Sequence, residues 1–525
     1  MASVIEQGLI VETAAGKLRG ESANGVHRFR GVPYAQTAGG ANRFLRAQAL
    51  QPWTGVRDAA SYGARACQPT EESSGLAWRG WIRDRQPLSE DCLVLNVWTP
   101  GLDNKKRPVM FYIHGGGFTT GSGGTAGCDG EILAKRGDVV VVTINHRLNL
   151  FGHLYLPGAE ERFADAGNNG ILDIVAALQW VRANIAAFGG DAGNVTISGQ
   201  SGGASKVAVL MTMPEAKGLF HKAVIQSASS LIRMATADEA GRCSHALIRA
   251  LGLEGRDASA LQQVPVDAML AARKVAIAEA GDNFRPVVDG RSLREHPFHP
   301  AAPAASADIP LLIGTCEDEL TFSLGVNPAN FTLAEDEALR RVRVFTGLGE
   351  SQAAELMQRF RATRPRGTPS DIMIAIMSEQ MYRRNDIIAA ERKAAQAASV
   401  KGGAPAYMYL FTWKTTAMNG KLKTPHTLCI PFVFGTVDAA AEMLGTGPER
   451  HELSDRVMAA WVSFARSGNP NHPGLPQWSP YDAADRATMI FDNQCRLARD
   501  PLREDRLAMD DCPLYSADAG ARRAG

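Results

Sequence analysis

A serine stands in the glycine-flanked sequence GQSGG at residues 199–203. This G-x-S-x-G pattern is typical of a nucleophile on a sharp turn between a strand and a helix, where the hydroxyl stands clear of the backbone. An apolar run at 194–198 predicts the strand, and residues 204–213 predict the helix. We therefore predict that Ser201 is a catalytic nucleophile. The alternative is a glycine-rich turn with an incidental serine.

A second glycine-rich segment, HGGGF at residues 114–118, follows a predicted strand. A serine nucleophile needs hydrogen-bond donors for the oxyanion that forms on its substrate. Consecutive glycines let backbone N–H groups approach a substrate closely, and a helix N-terminus favours negative charge. We predict that the N–H groups of Gly116, Gly117 and Gly202 form this oxyanion hole, and that His114 orients the loop. The alternative is a flexible turn.

The elements that must position these residues alternate between strand-like and helical runs, which predicts α/β architecture. The predicted strands lie at 109–118 (running into the glycine loop), 138–148, 194–198, 222–228, 310–315 and 406–413. Residues 171–190 have a helical pattern. Residues 330–400 have another, and we interpret this second segment as a helical excursion that caps the sheet or forms a gorge wall. One domain over 1–525 is expected, with a disordered tail at 516–525.

The composition is that of an ordinary globular protein, with 45% apolar and 21% charged residues. The 56 basic and 55 acidic residues nearly cancel, so no net charge would attract nucleic acid or an anionic membrane. No apolar run is long enough to predict a membrane-spanning helix, and the N-terminal residues lack the features of a secretory signal, which predicts a cytoplasmic protein. Eight cysteines without a CxxC pair or a Cys/His cluster predict no metal site, and no cofactor is expected.

Motifs along almost the whole chain carry a family resemblance. They are FRGVPYA (29–35), NRF (42–44), EDCLVLNVWTP (90–100), FGGD (188–191) leading to the serine turn, PVVDG (286–290) and WVSFARSGNPNHPGLPQW (461–478). Over about residues 8–495 the sequence resembles the type-B carboxylesterases, the cholinesterase-like branch of the α/β-hydrolases, and looks most like the bacterial para-nitrobenzyl-esterase-like members. Val94 departs from the family pattern, in which an aromatic residue or threonine is more usual.

The resemblance implies the α/β-hydrolase fold, with a large, mostly parallel central sheet flanked by helices and with helical cap insertions. It also implies hydrolysis of carboxylic esters through an acyl-enzyme. The family's acid follows a strand end, and GTCEDELTF (314–322) places it at Glu319, with Leu320 in place of the usual glycine. Asp318 is the competing carboxylate, and a loop or N-cap role suits it better.

The family's base precedes a PFVFG-like segment, which implies His426 in KTPHTLCIPFVFG (423–435). The order Ser, Glu, His along the chain agrees with this assignment. Cys429 stands where relatives tend to carry a carboxylate. Ser227 resembles a hydroxyl that family members hold near the acid.

Two further pairs follow from the resemblance. Cys67 and Cys92 match positions that secreted members join in a disulfide, and a reducing cytosol would keep both as thiols. The residues between them, 68–91, form an expected loop at the gorge mouth. Arg43 and Glu90 resemble a family ion pair that anchors this loop, and the alternative is two separate surface charges.

Candidate substrate-binding residues come from several segments. Trp78 and Trp81 lie on the predicted gorge-mouth loop, where a hydrophobic anchoring role is the alternative. Met373 and Met377 belong to the helical excursion, where core packing is the alternative. Phe118 closes the HGGGF segment.

Relatives commonly carry glutamate just before the nucleophile, where this chain has Gln200. An amide keeps hydrogen-bonding capacity and removes a negative charge near the reacting centre. This favours uncharged aromatic or alkyl esters over cationic ones, and it removes a stabilising neighbour from the protonated form of His426. Arylamide or carbamate hydrolysis by the same residues is one alternative function, and a non-catalytic interaction domain of the same fold is another.

Overall fold

A 13-stranded sheet is the main feature of the computed structural model, which describes residues 6–69 and 76–514. The strands of the described part are β1 (Glu6–Thr13), β2 (Gly16–Ala23), β3 (Val26–Pro33), β4 (Val56–Asp58), β5 (Arg65–Ala66), β6 (Leu88–Ser89), β7 (Val94–Thr99), β8 (Arg107–Ile113), β9 (Val140–Ile144), β10 (Gly190–Gln200), β11 (Lys222–Gln226), β12 (Ala235–Thr236), β13 (Val287–Val288), β14 (Leu311–Cys316), β15 (Ala406–Phe411), β16 (Ala487–Phe491) and β17 (Arg496–Arg499). β5 pairs with β6 and β12 pairs with β13 outside the large sheet.

The middle of the large sheet is parallel. Seven neighbouring strands run in the order β9-β8-β10-β11-β14-β15-β16 and all pair in parallel. Antiparallel strands complete the two sides, β1-β2-β3-β7 on one and β17 on the other, and β4 pairs with β2. Because parallel strands end at the same edge of a sheet, the loops after β8, β10, β14 and β15 meet there.

Helices cover both faces of this sheet. The helices of the described part are α1 (Glu131–Gly137), α2 (Asn149–Gly152), α3 (Asn169–Asn184), α4 (Gly202–Thr212), α5 (Ala237–Ala250), α6 (Val266–Ala280), α7 (Thr321–Leu324), α8 (Glu335–Thr346), α9 (Glu350–Thr363), α10 (Pro369–Ser378), α11 (Arg384–Ser399), α12 (Cys429–Phe434), α13 (Ala441–Leu444), α14 (Glu449–Ser467) and α15 (Arg503–Ala508). Phe111 of β8 packs in a core with α3, α4 and α11, whereas its neighbour Tyr112 packs in a second core with α1, α12 and α14. This alternation explains why the central strands are apolar along their whole length.

The segment predicted as a helical excursion contains four helices, α8 to α11. The first three build a hydrophobic cluster of their own together with α15, and Leu320 joins it from the sheet edge. α11 instead packs against the main core through residues such as Ala389. The predicted tail at 516–525 lies outside the described residues.

One helical stretch, Asn169–Phe188, has the length and apolar composition of a helix that could cross a membrane. Within its most apolar window, 67% is buried inside the protein, as in the core helix of a globular domain. It consists of α3 and a short 3-10 turn, Ile185–Phe188.

Candidate active site

Ser201 lies on a strained turn between β10 and α4. Its φ of 60° and ψ of −125° are sparsely populated for a non-glycine residue, at a cost of about 1–3 kcal/mol. Close backbone approach requires the glycines around it: a Cβ on Gly199 would lie 2.3 Å from the Gly203 carbonyl carbon, and one on Gly203 would lie 2.0 Å from the Ile113 oxygen. The Ser201 N–H donates to the Gln226 carbonyl at the end of β11 (2.8 Å). Two neighbouring strands therefore hold the turn.

The glycine loop after β8 touches this turn. A Cβ on Gly202 would lie 2.1 Å from the Gly117 oxygen, so the two segments are in backbone contact. Gly116 and Gly117 have φ values of 89° and 62°, which glycine adopts without strain. Within the described residues, the N–H groups of Gly116, Gly117 and Gly202 have no hydrogen-bond acceptor. Of the three glycines, Gly116 is among the residues that line the cavity described below.

His114 supports this loop from behind. Its Nδ1 lies 2.8 Å from the Gly115 carbonyl oxygen. Burial lowers the pKa of His114 to about 3, so the ring is neutral and donates from Nδ1. The same peptide group carries the Gly116 N–H, and a hydrogen bond to its oxygen strengthens that N–H as a donor. The contact agrees with an orienting role for His114.

Glu319 and His426 meet at the carboxyl edge of the sheet. Glu319 lies in the turn after β14 and His426 lies after β15, and both are buried. His426 Nδ1 hydrogen-bonds to Glu319 Oε2. The second carboxylate oxygen accepts the Cys316 N–H (2.7 Å), and the His426 N–H donates to the Glu319 carbonyl (3.2 Å). These contacts fix which ring nitrogen faces Glu319 and leave Nε2 for another partner.

Asp318, the competing carboxylate, faces a different group. Its Oδ1 lies 3.9 Å from Lys423 Nζ, and its Oδ2 accepts the Thr424 N–H (3.4 Å). Burial raises the pKa of Asp318. The structure therefore pairs Glu319, and not Asp318, with the imidazole.

Gln200 lies directly against the imidazole. Its Nε2 is 3.2 Å from His426 Nε2 and 3.4 Å from Nδ1, and the side chain is buried. An amide carries no charge, so Gln200 places no negative charge beside the ring, where a glutamate would. Ser201 and His426 are not hydrogen-bonded in the described structure, and contacts of this kind commonly tighten only when substrate is bound.

Replacing Gln200 by glutamate is expected to move the acidic limb of the kcat/KM profile upward by about one pH unit, because a carboxylate 3–4 Å from the ring favours its protonated, inactive form. Gln200→Met serves as the matched control, since it removes the amide without adding charge. The measurement is kcat/KM from pH 4.5 to 9 for all three proteins. An acidic limb that stays in place in Gln200→Glu contradicts the electrostatic role.

A cavity of about 580 Å³ opens in front of these residues. The described residues on its wall include Arg65, Gln68, Arg79, Trp81, Arg83, Asp84, Arg85, His114, Gly115, Gly116, Gln200, Ser201, Phe322, Tyr382 and His426. Arginine is the most frequent charged residue among them, with a single aspartate. Within residues 6–69 and 76–514, no three His, Cys, Asp or Glu side chains are grouped as ligands for a metal ion.

The predicted gorge-mouth loop contributes much of this wall, although residues 70–75 lie outside the described part. Trp81 lines the cavity, as predicted. Trp78 does not: its ring packs edge-on against Phe322 at 5.2 Å between centroids and is buried in the second core. The prediction for Trp78 is therefore corrected to the alternative of a hydrophobic anchor.

Three other predicted substrate-binding residues also lie away from the cavity wall. Met373 and Met377 are buried in the cluster of α8, α9, α10 and α15. Phe118 packs edge-on against His153 with 5.6 Å between ring centroids. Burying these apolar side chains in cores stabilises the fold more than exposing them to a cavity would, and ordinary core packing explains all three.

Two aromatic residues that were not predicted lie beside His426. The Tyr382 ring lies 4.7 Å and the Phe322 ring 6.2 Å from the His426 ring, between centroids. Phe322 follows Glu319 closely in the quoted GTCEDELTF motif, so its place was accessible from the sequence. Tyr382 lies on a π-helical turn, Glu379–Arg383, and no local pattern indicates that it reaches His426.

Ser227 is buried next to the end of β14. Its N–H donates to the Gly314 carbonyl (2.8 Å) and its φ is 55°. Among the described residues its hydroxyl has no hydrogen-bond partner. The backbone contact, and not the hydroxyl, links Ser227 to the strand that leads to Glu319.

The ion pair predicted at the base of the gorge-mouth loop is confirmed. Arg43 donates from Nε to Glu90 Oε1 (2.6 Å) and from a terminal nitrogen to Oε2 (2.7 Å). Arg43 also donates to the Leu261 carbonyl (3.2 Å), which ties the loop to a neighbouring segment. Bidentate geometry of this kind is the strong form of an arginine–carboxylate pair.

Cys67 and Cys92 are free, buried thiols in the structure. Burial raises the pKa of Cys67 to about 11, so its native thiol is unreactive at neutral pH. We expect alkylation under denaturing conditions to give the same mass with and without prior reduction. A mass lower by two alkyl groups without reductant would instead show a disulfide.

The sheet order, the strained serine turn and the Glu–His pair at the carboxyl edge define an α/β-hydrolase. Over residues 7–509 the chain matches the sequence model of the Carboxylesterase family. It therefore belongs to the carboxylesterase family, and it is a carboxylic-ester hydrolase.

Known esterases and hydrolases are similar to this chain over nearly its whole length, which agrees with the family match. The para-nitrobenzyl esterase of Bacillus subtilis (strain 168) is 36% identical over 507 residues, covering 95% of this chain and 97% of its own. The phenmedipham hydrolase of Pseudarthrobacter oxydans is 33% identical over 512 residues, covering 95% and 98%. A crystal structure of a Geobacillus stearothermophilus carboxylesterase superposes with a TM-score of 0.82 at 38% identity, covering 95% and 99%.

Proposed function

We propose that the chain hydrolyses carboxylic esters by a serine mechanism in which Ser201 is the nucleophile, His426 the base and Glu319 the acid. The observation that carries this proposal is the buried contact of Glu319 with His426, a residue that lines the same cavity as Ser201. A base oriented by a carboxylate beside a strained, accessible hydroxyl is the arrangement that nucleophilic catalysis requires.

In the first step the Ser201 oxygen attacks the acyl carbon, and His426 Nε2 takes the hydroxyl proton. Nε2 must exchange its contact with the Gln200 amide for the hydroxyl before this transfer. Glu319 holds the ring in the required orientation and stabilises the charge that forms on it. The N–H groups of Gly116, Gly117 and Gly202 receive the oxyanion.

In the second step His426 gives its proton to the leaving alkoxide, the alcohol departs, and an acyl ester remains on Ser201. Water then attacks this ester with the same base, and the acid is released. Both halves use the same oxyanion donors, so their alignment affects acylation and deacylation alike.

We propose uncharged aromatic or alkyl esters as the substrates. Gln200 supplies no negative charge beside the base, and arginines outnumber the one aspartate on the described cavity wall. Both features disfavour a cationic acyl or alcohol group. A choline-like ester is therefore expected to have a lower kcat/KM than a neutral ester of the same size.

Arylamide or carbamate hydrolysis is the second candidate, since the same residues could cleave either bond, and a relative named phenmedipham hydrolase makes phenmedipham a useful probe. The test compares para-nitrophenyl butyrate, the matching para-nitroanilide and phenmedipham on one preparation. We expect the ester to be cleaved fastest and slow ester substrates to release a burst of about one nitrophenol per chain. A faster anilide favours the second candidate, and no turnover with no burst contradicts both.

The cytoplasmic location and the single-domain organisation stay predictions.

A further inference from the structure

A buried lysine lies directly behind the proposed oxyanion loop. Lys206 is on α4, close after Ser201, and its side chain is fully buried. The surrounding helix is otherwise apolar or small, in the sequence GGASKVAVLMT. A buried ammonium is costly unless it is hydrogen-bonded or paired, and within the described residues Lys206 forms no ion pair.

Its hydrogen bonds go to the loop itself. Lys206 Nζ donates to the Gly117 carbonyl (2.9 Å) and to the His114 carbonyl (3.3 Å). It also lies 5.6 Å from the centroid of the Phe118 ring. The two carbonyls stand on either side of Gly115 and Gly116, so one ammonium clamps both ends of the segment that carries the oxyanion donors.

We propose that Lys206 is a positioning residue for the oxyanion hole, whose ammonium holds the loop carbonyls on the side away from the cavity and so directs the Gly116 and Gly117 N–H groups toward the substrate. The inference rests on the proposed function, because it takes Ser201 as the nucleophile. Lys206 does not line the cavity and so does not contact the substrate. Its effect is to fix donor directions before the reaction and to place a positive charge behind the developing oxyanion.

The charge on this clamp changes near neutral pH. Burial lowers the pKa of Lys206 to about 7. Three histidines face it from the oxyanion loop and from the segments around α2: His114, His146 and His153. Burial lowers the pKa of His114 and His153 to about 3 and that of His146 well below its usual range, so all three are neutral at neutral pH.

Arg147, a further charged residue near this group, stays charged, because the Asp173 carboxylate raises its pKa against the lowering effect of burial. Arg147 beside His153 is paired with Asp173 through two hydrogen bonds of 2.8 and 2.6 Å. Raising the pH through about 7 therefore removes the proton from Lys206 and weakens the clamp. The free enzyme should show a descending limb of kcat/KM in this range.

The experiment compares the wild-type protein with Lys206→Met and with Lys393→Met. Lys393 is the matched control: it is also fully buried, donates to two backbone carbonyls (2.9 and 2.8 Å), and has its pKa lowered by burial to about 8. It does not line the cavity. The readouts are kcat and KM for para-nitrophenyl butyrate from pH 5.5 to 9.5, and the midpoint of thermal unfolding.

We expect Lys206→Met to lower kcat about 10²-fold with little change in KM, as for loss of one oxyanion donor, and to abolish the descending limb. Lys393→Met should lower stability and keep the wild-type profile. Lys206→Gln, which keeps donors without charge, should recover part of kcat and still lack the limb.

Two results overturn the inference. One is a folded Lys206→Met with wild-type kcat and an unchanged limb. The other is a wild-type kcat/KM without a descending limb between pH 6 and 9, which needs no variant to fold. Activity that survives in Ser201→Ala would instead contradict the proposed function, so the two failures are distinguishable.

Discussion

Replacing Ser201 by alanine is expected to lower kcat for para-nitrophenyl butyrate by about 10⁶-fold. The change removes the oxygen that becomes acylated and leaves the cavity, the base and the backbone donors in place. Alanine has a Cβ as serine does, so the φ of 60° at this position is no more strained in the variant, and the fold should be retained. Steady-state turnover together with thermal unfolding measures both effects.

Ser205→Ala is the control for this substitution. Ser205 lies on the same helix, is fully buried, and its oxygen accepts only the Ser230 N–H (3.3 Å) among the described contacts of its side chain. The substitution removes a serine hydroxyl, as Ser201→Ala does, but at a position that does not line the cavity. Activity near wild type in Ser205→Ala, with none in Ser201→Ala, separates chemistry from helix stability. Equal losses in the two variants would contradict the assignment.

Replacing Glu319 by glutamine is expected to lower kcat about 10⁴-fold. The amide fits the same space but has no charge to stabilise the imidazolium, and its NH₂ group can donate to Nδ1, which favours the tautomer with the proton on Nε2. The Glu319 carboxylate also accepts the Cys316 N–H (2.7 Å), so part of the loss reflects a loosened turn. Because the defect lies in the transition state, kcat should fall far more than KM rises.

Asp318→Asn is the matched substitution one residue earlier. It changes a carboxylate that faces Lys423 and the Thr424 N–H, away from the imidazole. We expect kcat within a few fold of wild type. A loss of kcat in Asp318→Asn as large as that in Glu319→Gln would contradict the assignment of Glu319 as the acid.

Local patterns were enough to place the serine turn and the glycine loop. Both segments, 199–203 and 114–118, are strand-to-loop transitions. A Cβ on Gly116, Gly199, Gly202 or Gly203 would lie only 2.0–2.3 Å from backbone atoms, and such constraints are visible in a short segment. Glu319 and His426 are distant in sequence. Only the family resemblance suggested that they meet, and the structure shows the contact.

The sequence did not show which way individual side chains point, and this limited the prediction of the other site residues. Met373 and Met377 were candidate pocket residues with core packing as the alternative, and nothing in the sequence showed that α8, α9 and α15 would cover them. Lys206 was indistinguishable from a surface lysine until its helix was placed between the sheet and the glycine loop. Element boundaries also moved: the predicted helix 171–190 ends as an α-helix at Asn184, and a 3-10 turn continues to Phe188.

The most direct test of the serine mechanism is to find the residue that becomes covalently modified. The active protein is treated with a fluorophosphonate probe, digested, and the labelled peptide sequenced by mass spectrometry. We expect one adduct per chain, located on Ser201, with labelling retained in Ser205→Ala and lost in Ser201→Ala. An adduct on another residue, or full esterase activity after treatment with no adduct, would contradict it.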